Sequence, residues 1–335
     1  MKKIVGILTV AALATSLFAE VNVGAWGRSG MDVISTSDFK SGSVVATPGW
    51  ADGSRVGVSF GAADEDENIG FNLNVDSNGG TIGIGDQAKI WANIGPLQVQ
   101  FGKIQLDDLR GSIGDNGNRT EFCVAGEDAI FARMNPQNGM TLALRPVDGL
   151  FIGAAIDPNE DWGAAGTAIQ GGIGYTITDV AQLKAQYIGK ANTVGDVQVG
   201  VDVLALPVLV EVGVRVGGLA DVKNKGTVNG TIGFAGGFDA LSFKGHVICN
   251  FENKGSKVTD NLTAGCEVQA EYGLGVCDLG VNAGYKFAQG ENSLGGELYA
   301  KKGFGNGYLF GGVADTFVIG GANSFKVPVG AEYWF

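Results

Sequence analysis

The stretch FKVPVGAEYWF, residues 325 to 335, alternates apolar and polar positions with period two. The apolar positions are Phe325, Val327, Val329, Ala331, Tyr333 and Phe335. Lys326, Gly330 and Glu332 fall between them. Alternate side chains of a β-strand point to opposite faces, so the stretch predicts a strand with one apolar and one polar face. Such a strand would aggregate at an open sheet edge, and closure of the sheet into a barrel removes that edge.

The same alternation recurs along the chain in segments of about ten residues, which is the pattern of transmembrane barrels. One parity is apolar and the other is polar or glycine in Ile69–Asp76, Val208–Gly217 and Leu262–Tyr272. A soluble barrel would turn the apolar parity inward, yet strands this numerous enclose more volume than their valines can fill. The pattern therefore predicts an apolar outside and a wet inside.

Short and long connections alternate along the chain. Ile94–Pro96 and Pro146–Gly149 have the Gly, Pro and Asp content of tight turns, whereas Met31–Gly49 and Asp157–Gly166 are longer and polar. This order puts turns on one membrane face and loops on the other. The sequence thus predicts an all-β fold, an antiparallel transmembrane β-barrel of about 16 to 18 strands with short periplasmic turns and longer extracellular loops.

The amino terminus has the composition of a secretory signal peptide. Lys2 and Lys3 precede an apolar run, Ile4–Phe18, and the small residue Ala19 follows it. The alternative, a membrane-anchor helix, is disfavoured because the run is shorter than the roughly 20 residues that span a bilayer. No linker or change of composition follows, so we expect a signal peptide at residues 1–19 and a single barrel domain at residues 20–335.

Composition narrows the range of functions. The chain has 23 Lys+Arg against 35 Asp+Glu, a net charge of −12. Such an acidic chain is a poor nucleic-acid binder, so we expect no nucleic-acid partner. The four cysteines show no metal-ligand spacing, and His246 is the only histidine. With neither a nucleophile–base pair nor a phosphate-binding loop in evidence, we expect no enzyme activity, metal or cofactor.

The last strand resembles that of outer-membrane β-barrel proteins, which ends in alternating apolar residues, an aromatic residue two places before the end and a terminal Phe. Tyr333 and Phe335 occupy those two positions. The resemblance implies that residues 325–335 are an assembly signal and close the barrel against the first strand. It also implies the outer membrane of a double-membrane, Gram-negative-type bacterium, with membrane lipid and the barrel assembly machinery as partners.

A second resemblance is to general bacterial porins, in which a hairpin like IGPLQVQFGK, Ile94–Lys103, precedes a long third loop. In that family the loop folds into the lumen and sets the pore constriction, with acidic loop groups facing a basic wall. Lys103 stands where the family usually has Arg, and the family's Pro-Glu-Phe-type motif is absent. The resemblance therefore covers the hairpin, the position of the loop and the last strand.

Residues 105–137, which follow this hairpin, are the candidate pore-constricting loop, because they lose the alternation and a structureless stretch this long is usually functional. Its acidic candidates are Asp107, Asp108, Asp115, Glu121, Glu127 and Asp128. The candidates for the basic wall, with the inward parity, are Arg28, Arg55, Lys89 and Arg145. The alternative is that these four are solvated barrel charges without a special role. A short strand at Ala129–Met134 would reverse the parity of everything after it.

The function expected from this pattern is that of a porin, a water-filled channel for passive diffusion of small hydrophilic solutes and ions. The resemblance to general porins is compatible with a homotrimer. Two other functions stay open. A surface-exposed structural or adhesin barrel would use its long loops for contacts, and a substrate-specific outer-membrane transporter would need an aromatic or apolar conduit along the lumen.

Overall fold

The alternating segments form β-strands in the computed structural model, which describes residues 20–37, 41–45, 55–78, 81–111, 134–157, 168–190, 193–217, 227–252, 262–288 and 291–334. The strands are β1 (Glu20–Ser37), β2 (Ser41–Val45), β3 (Arg55–Ala63), β4 (Ile69–Asn78), β5 (Thr81–Ile94), β6 (Leu97–Lys103), β7 (Gly139–Leu144), β8 (Leu150–Ile156), β9 (Ile169–Ile177), β10 (Ala181–Lys190), β11 (Thr193–Val203), β12 (Leu209–Gly217), β13 (Thr227–Phe238), β14 (Leu241–Glu252), β15 (Leu262–Gly273), β16 (Asp278–Ala288), β17 (Glu291–Phe304), β18 (Gly307–Ile319) and β19 (Ser324–Trp334). Within these ranges, no helix is long and apolar enough to cross a membrane.

The strands close into one antiparallel barrel, in which each strand from β3 onward pairs with the next strand in the chain. The last strand, β19, pairs with β1 from Trp26 opposite Trp334 to Ser37 opposite Ser324. On its other side β1 pairs with β3 near one end and with β2 near the other, so β2 and β3 share one barrel position. The nineteen strands therefore fill 18 positions, which confirms the predicted all-β barrel and its strand number.

The polarity of the barrel is the reverse of that of a soluble protein. Outward side chains are apolar and exposed, as Val23 at 60% and Ile232 at 55% illustrate. Inward side chains are polar and covered, and Gln198 and Glu211 have no exposed surface. Met134 forms an isolated bridge with Leu106, and residues 129–133 of the possible short strand lie outside the described residues. The predicted apolar outside and polar inside are confirmed.

Many of the 57 glycines serve packing between strands, because an aromatic ring lies over the glycine opposite it on the next strand. A Cβ at Gly280 would lie 1.9 Å from Cζ of Tyr299. The same arrangement places Trp26 over Gly57, Trp91 over Gly70, Phe234 over Gly245 and Phe310 over Gly330. No larger residue fits beneath these rings, so the glycines fix where each ring lies.

The short connections gather at one end of the barrel and the outward aromatic residues lie near them. Gly95 and Gly149 adopt positive φ in these turns, at 58° and 79°, which glycine does without steric cost. Tyr175, Tyr272 and Tyr333 are 44%, 51% and 46% exposed close to this end. An outward aromatic band at the end of the strands matches the girdle at a membrane boundary.

Candidate functional site

The segment that follows β6 turns into the barrel. Ile104 and Leu109 are 0% and 1% exposed, although both lie beyond the end of the short strand β6. Their cluster of buried residues is Ile104, Leu106, Leu109, Met134, Ala143, Phe151 and Ile188. Ala143, Phe151 and Ile188 lie on β7, β8 and β10, so the segment is packed against three strands of the inner wall.

Leu109 rests on glycines of the neighbouring wall. A Cβ at Gly172 would lie 2.4 Å from one Leu109 methyl group, and a Cβ at Gly174 would lie 2.6 Å from the other. Ile173 and Tyr175, which alternate with these glycines along β9, are exposed on the outside of the barrel. Gly172 and Gly174 therefore face the inside. The two glycines therefore leave room on the inner wall for the side chain of Leu109.

The two ends of the long connection are joined by backbone hydrogen bonds. Ile104 N donates to Pro136 O at 3.1 Å, and Leu106 N donates to Met134 O at 2.9 Å. Asn135 N also donates to Oε1 of Gln170, on β9, at 3.0 Å. These bonds fix the segments that enter and leave the connection against the inside of the barrel.

Asp107 and Asp108 face basic groups of the wall. Nη2 of Arg145 lies 2.5 Å from Oδ1 of Asp108, and the Arg145 guanidinium stands 5.2 Å from the ring centre of Phe151. Both carboxylates are also close enough to Lys89, on β5, to interact electrostatically with its ammonium group. The structure thus brings together four of the predicted constriction residues.

Arg28 and Arg55 form a second basic group, on β1 and β3. They are opposite each other in the register, and their guanidinium carbons lie 5.7 and 5.2 Å from the ring centre of Trp26. Nη2 of Arg55 is 2.6 Å from Oδ2 of Asp76 on β4. In the order of the strands, β4 and β5 lie between β3 and β6, after which the long connection begins.

The other predicted positions fall outside the described residues. They are Asp115, Glu121, Glu127 and Asp128 of the long connection, Phe335 at the carboxyl terminus, and the signal peptide at residues 1–19. Tyr333 is described, and its ring packs on Gly307 of β18.

Sequence reasoning missed a polar network on the inner wall of β10 to β12. Nζ of Lys184 lies 2.8 Å from Asp202 and 2.9 Å from Glu211, and all three side chains have at most 1% exposure. Arg215 also forms an ion pair with Asp196. The inward parity of each residue is readable from the alternation, but the register that brings them together is not.

A cavity of about 390 Å³ opens beside the Asp108–Arg145 pair. Its lining includes Asp108, Arg145, Phe151, Thr176 and Gln182. It lies next to the turn that joins β7 to β8, at the short-turn end of the lumen. The cavity therefore offers a charged pair, an aromatic ring and hydrogen-bonding groups to a solute at that end.

No protein-family model matches the chain. No curated protein matches it either. Among solved structures, OpdK of Pseudomonas aeruginosa with vanillate has a TM-score of 0.62 at 11% identity, over 95% of this chain and 99% of OpdK. OprD of the same organism has 0.61 at 11%, over 95% and 96% of the two chains. A loop L8 deletion mutant of OmpT, an outer-membrane protein of Vibrio cholerae, has 0.51 at 14%, over 94% and 99%.

These likenesses extend over nearly the whole length of both chains. They agree with the predicted resemblance to outer-membrane, porin-like barrels, since OpdK and OmpT are both outer-membrane proteins. Because the identities are 14% or less, these likenesses show the fold alone. The chain has the closed antiparallel barrel fold of OpdK, OprD and OmpT.

Proposed function

We propose that the protein is an outer-membrane porin, a water-filled channel through which small hydrophilic solutes and ions diffuse passively. The observation that carries the proposal is the placement of Asp107, Asp108 and Leu109 inside a closed barrel with an apolar exterior. An apolar exterior is suited to lipid, and charged groups on an inner segment are suited to filtering ions.

The proposed filter is the long connection, residues 105–137, acting against the basic wall. Fixed charges in a narrow lumen set the local potential, which attracts ions of one sign and repels the other. Asp107 and Asp108 contribute negative charge beside Lys89 and Arg145, and Asp115, Glu121, Glu127 and Asp128 would add to it. The acidic residues outnumber the basic ones, so weak cation preference is the expected result. Diffusion through such a channel requires neither bond chemistry nor a cofactor.

The route to the membrane is part of the same proposal. Residues 1–19 would direct secretion and be removed, leaving the barrel that begins at β1. The barrel assembly machinery would recognise β19, with Tyr333 and Phe335 as its terminal aromatic residues. Outer-membrane lipid would then surround the apolar exterior, and a homotrimer is the assembly that the porin resemblance suggests.

Conductance in a planar bilayer tests the proposed function. Purified, folded protein should give stepwise ion currents, and liposomes that contain it should swell in small sugars faster than in large ones. An adhesin or structural barrel would give neither signal, while its soluble loop fragments would bind other molecules. Folded protein that gives no current and no size-dependent swelling would contradict the proposal.

A second candidate is a channel selective for small aromatic carboxylates. This candidate is supported by guanidinium groups that lie over inward-facing aromatic rings. Arg145 lies over Phe151 beside the 390 Å³ cavity, and Arg28 and Arg55 lie over Trp26. A guanidinium group binds carboxylate, and an aromatic face accepts a ring. OpdK, which has the same fold, has a structure with vanillate, an aromatic carboxylate, and this also supports the second candidate.

Vanillate itself is the probe for the second candidate. It should reduce the ion current at concentrations at which vanillyl alcohol, the neutral analogue, has no effect. Arg145→Gln should weaken this block, whereas Asp66→Asn, at an exposed turn, should leave it unchanged. If vanillate and vanillyl alcohol reduced the current equally, the second candidate would be excluded and the general channel would remain the proposed function.

A further inference from the structure

Asp315 is an aspartate on the apolar outer face of the barrel. It lies on β18 between Val313 and Phe317, which have the same outward parity and are 42% and 49% exposed. The register places it opposite Gly296 on β17 and Phe325 on β19. A charged side chain thus stands within a surface that is otherwise suited to lipid.

Lipid cannot satisfy this carboxylate. Acyl chains offer no hydrogen-bond donor, and ionisable residues that face a bilayer carry a free-energy cost unless they are paired. In the described part of the chain, Asp315 makes neither a hydrogen bond nor an ion pair. Aspartate also lacks the long stem with which lysine reaches water. The position therefore calls for a protein partner with a cationic group.

The surface around Asp315 is shaped for close contact with protein. It forms a groove of about 440 Å³, in which the small residues Ala283 and Gly296 lie between the larger Leu294, Leu298 and Phe317. Small residues let two membrane-embedded surfaces approach closely, and polar groups between them add specific hydrogen bonds. This groove and Asp315 together are the Asp315 face.

The chain carries a matching cation on another part of its outer face. Lys103 is the last residue of β6, opposite Ala88 of β5, and has the outward parity of Phe101, which is 54% exposed. No ion pair or hydrogen bond engages the Lys103 side chain in the described ranges. Beside it is a groove of about 550 Å³ lined by Ile69, Phe71, Leu73, Ala88, Ile90 and Phe101. Lys103 and this groove together are the Lys103 face.

The two charged residues lie at similar distances from the short-turn ends of their strands. Both strands start at the short-turn end, and Lys103 and Asp315 are six and eight residues beyond the first residues of β6 and β18. The difference of two residues is about 7 Å along a strand. The four-carbon stem of lysine can span much of that offset. Two barrels with the same orientation can therefore bring Lys103 of one next to Asp315 of the other.

Resting on the proposed outer-membrane channel and the homotrimer suggested for it, we propose that neighbouring copies meet through the Asp315 face of one copy and the Lys103 face of the next, with Asp315 and Lys103 paired inside the interface. The Asp315 face is centred on β17 and the Lys103 face on β5. Five strands separate these two centres, so one copy can contact two other copies, one through each face. Such a contact is heterologous, and repeats of it form rings or rows. Asp86 lies two residues from Ala88, the residue opposite Lys103, in the irregular part of β5.

A charge-swap experiment tests this pairing. The mass of the protein assembly would be measured by size-exclusion chromatography with light scattering, after extraction in mild detergent. The wild-type protein should self-associate. Asp315→Lys, Lys103→Asp and the milder Asp315→Asn should each weaken association at least about tenfold, because each removes one partner of a buried ion pair. The double variant Asp315→Lys with Lys103→Asp should recover it.

Folding and charge are controlled separately. Heat-modifiable gel migration reports closed barrels, and only variants that fold would be compared. Asp66→Lys makes the same charge change at an exposed turn and should leave the assembly mass unchanged. A monomeric wild-type protein, undiminished association in the single variants, or a double variant no better than the singles would each overturn the proposal.

Discussion

Nη2 of Arg145 lies 2.5 Å from Oδ1 of Asp108, which ties the segment after β6 to the wall at the end of β7. The two side chains are 45% and 26% exposed, so the pair should contribute less than about 1 kcal/mol to stability. Its importance is positional, because it holds a carboxylate of the proposed constriction beside a cation.

Arg145→Gln should release Asp108 and remove one positive charge from the lumen. The free energy of unfolding should change by less than about 1 kcal/mol. The channel should become more cation-selective and its open current noisier, as seen in single-channel recordings in a KCl gradient. Unchanged selectivity and noise in a folded variant would show that Arg145 lies outside the conduction path.

Gly280→Ala should destabilise the barrel. The new Cβ would lie 1.9 Å from Cζ of Tyr299, so the ring must move. The Tyr299 hydroxyl accepts from Nε2 of Gln269 at 2.7 Å and donates to Oε2 of Glu271 at 3.0 Å, and both bonds would be strained or lost. We expect a loss of about 1–3 kcal/mol in urea unfolding followed by tryptophan fluorescence.

Gly27→Ala is the matched control for that change. The nearest atom to its Cβ would be 3.6 Å away, an ordinary contact, so stability should hold or rise by up to about 1 kcal/mol. Equal losses at Gly27 and Gly280 would mean that backbone freedom, and not the ring over Gly280, decides the outcome.

Val58 and Ser59 are neighbours on β3 and point to opposite sides of the barrel wall. Val58→Arg puts a charge toward lipid and should cost about 2–4 kcal/mol of stability near the bilayer midplane. Ser59→Arg faces the lumen and should insert normally, with lower conductance and a shift toward anions. Urea unfolding in lipid and bilayer recording check the pair, and the reverse pattern would show that the faces of β3 are assigned wrongly.

Tyr333→Ser should impair assembly, because it removes a terminal aromatic side chain of β19 that packs on Gly307. The variant should be secreted yet show a weaker folded band in heat-modifiable gels. Ala331→Ser, at the preceding outward position, is the control and should fold normally. A folded band of wild-type intensity for Tyr333→Ser would argue against Tyr333 as part of the assembly signal.

The faces of the strands could be predicted because period-two alternation is a local property of the chain. Val58 outside and Arg55 inside follow directly from the order of residues. The strand number was also predictable, since the tight turns carry Gly, Pro and Asp. The sharing of one position by β2 and β3 was not, because it depends on how both pair with β1.

The site was predictable only in part. The hairpin and the loss of alternation indicated the long connection, and parity indicated Lys89 and Arg145. The contact of Leu109 with Gly172 and Gly174 joins residues far apart in sequence, and nothing local signals it. The Lys184, Asp202 and Glu211 network likewise depends on the registers of three strands, which alternation alone leaves undetermined.

The reversal potential of a variant with Asp107→Asn and Asp108→Asn tests most directly whether the long connection lines the pore. In a KCl gradient the variant should shift toward anion preference. The shift should be larger at low salt, because fixed charge is screened beyond about 10 Å at 0.1 M. Glu65→Gln with Asp66→Asn, at an exposed turn, should leave the reversal potential unchanged. If the variant at Asp107 and Asp108 conducts with unchanged reversal potential and conductance, these residues do not line the pore.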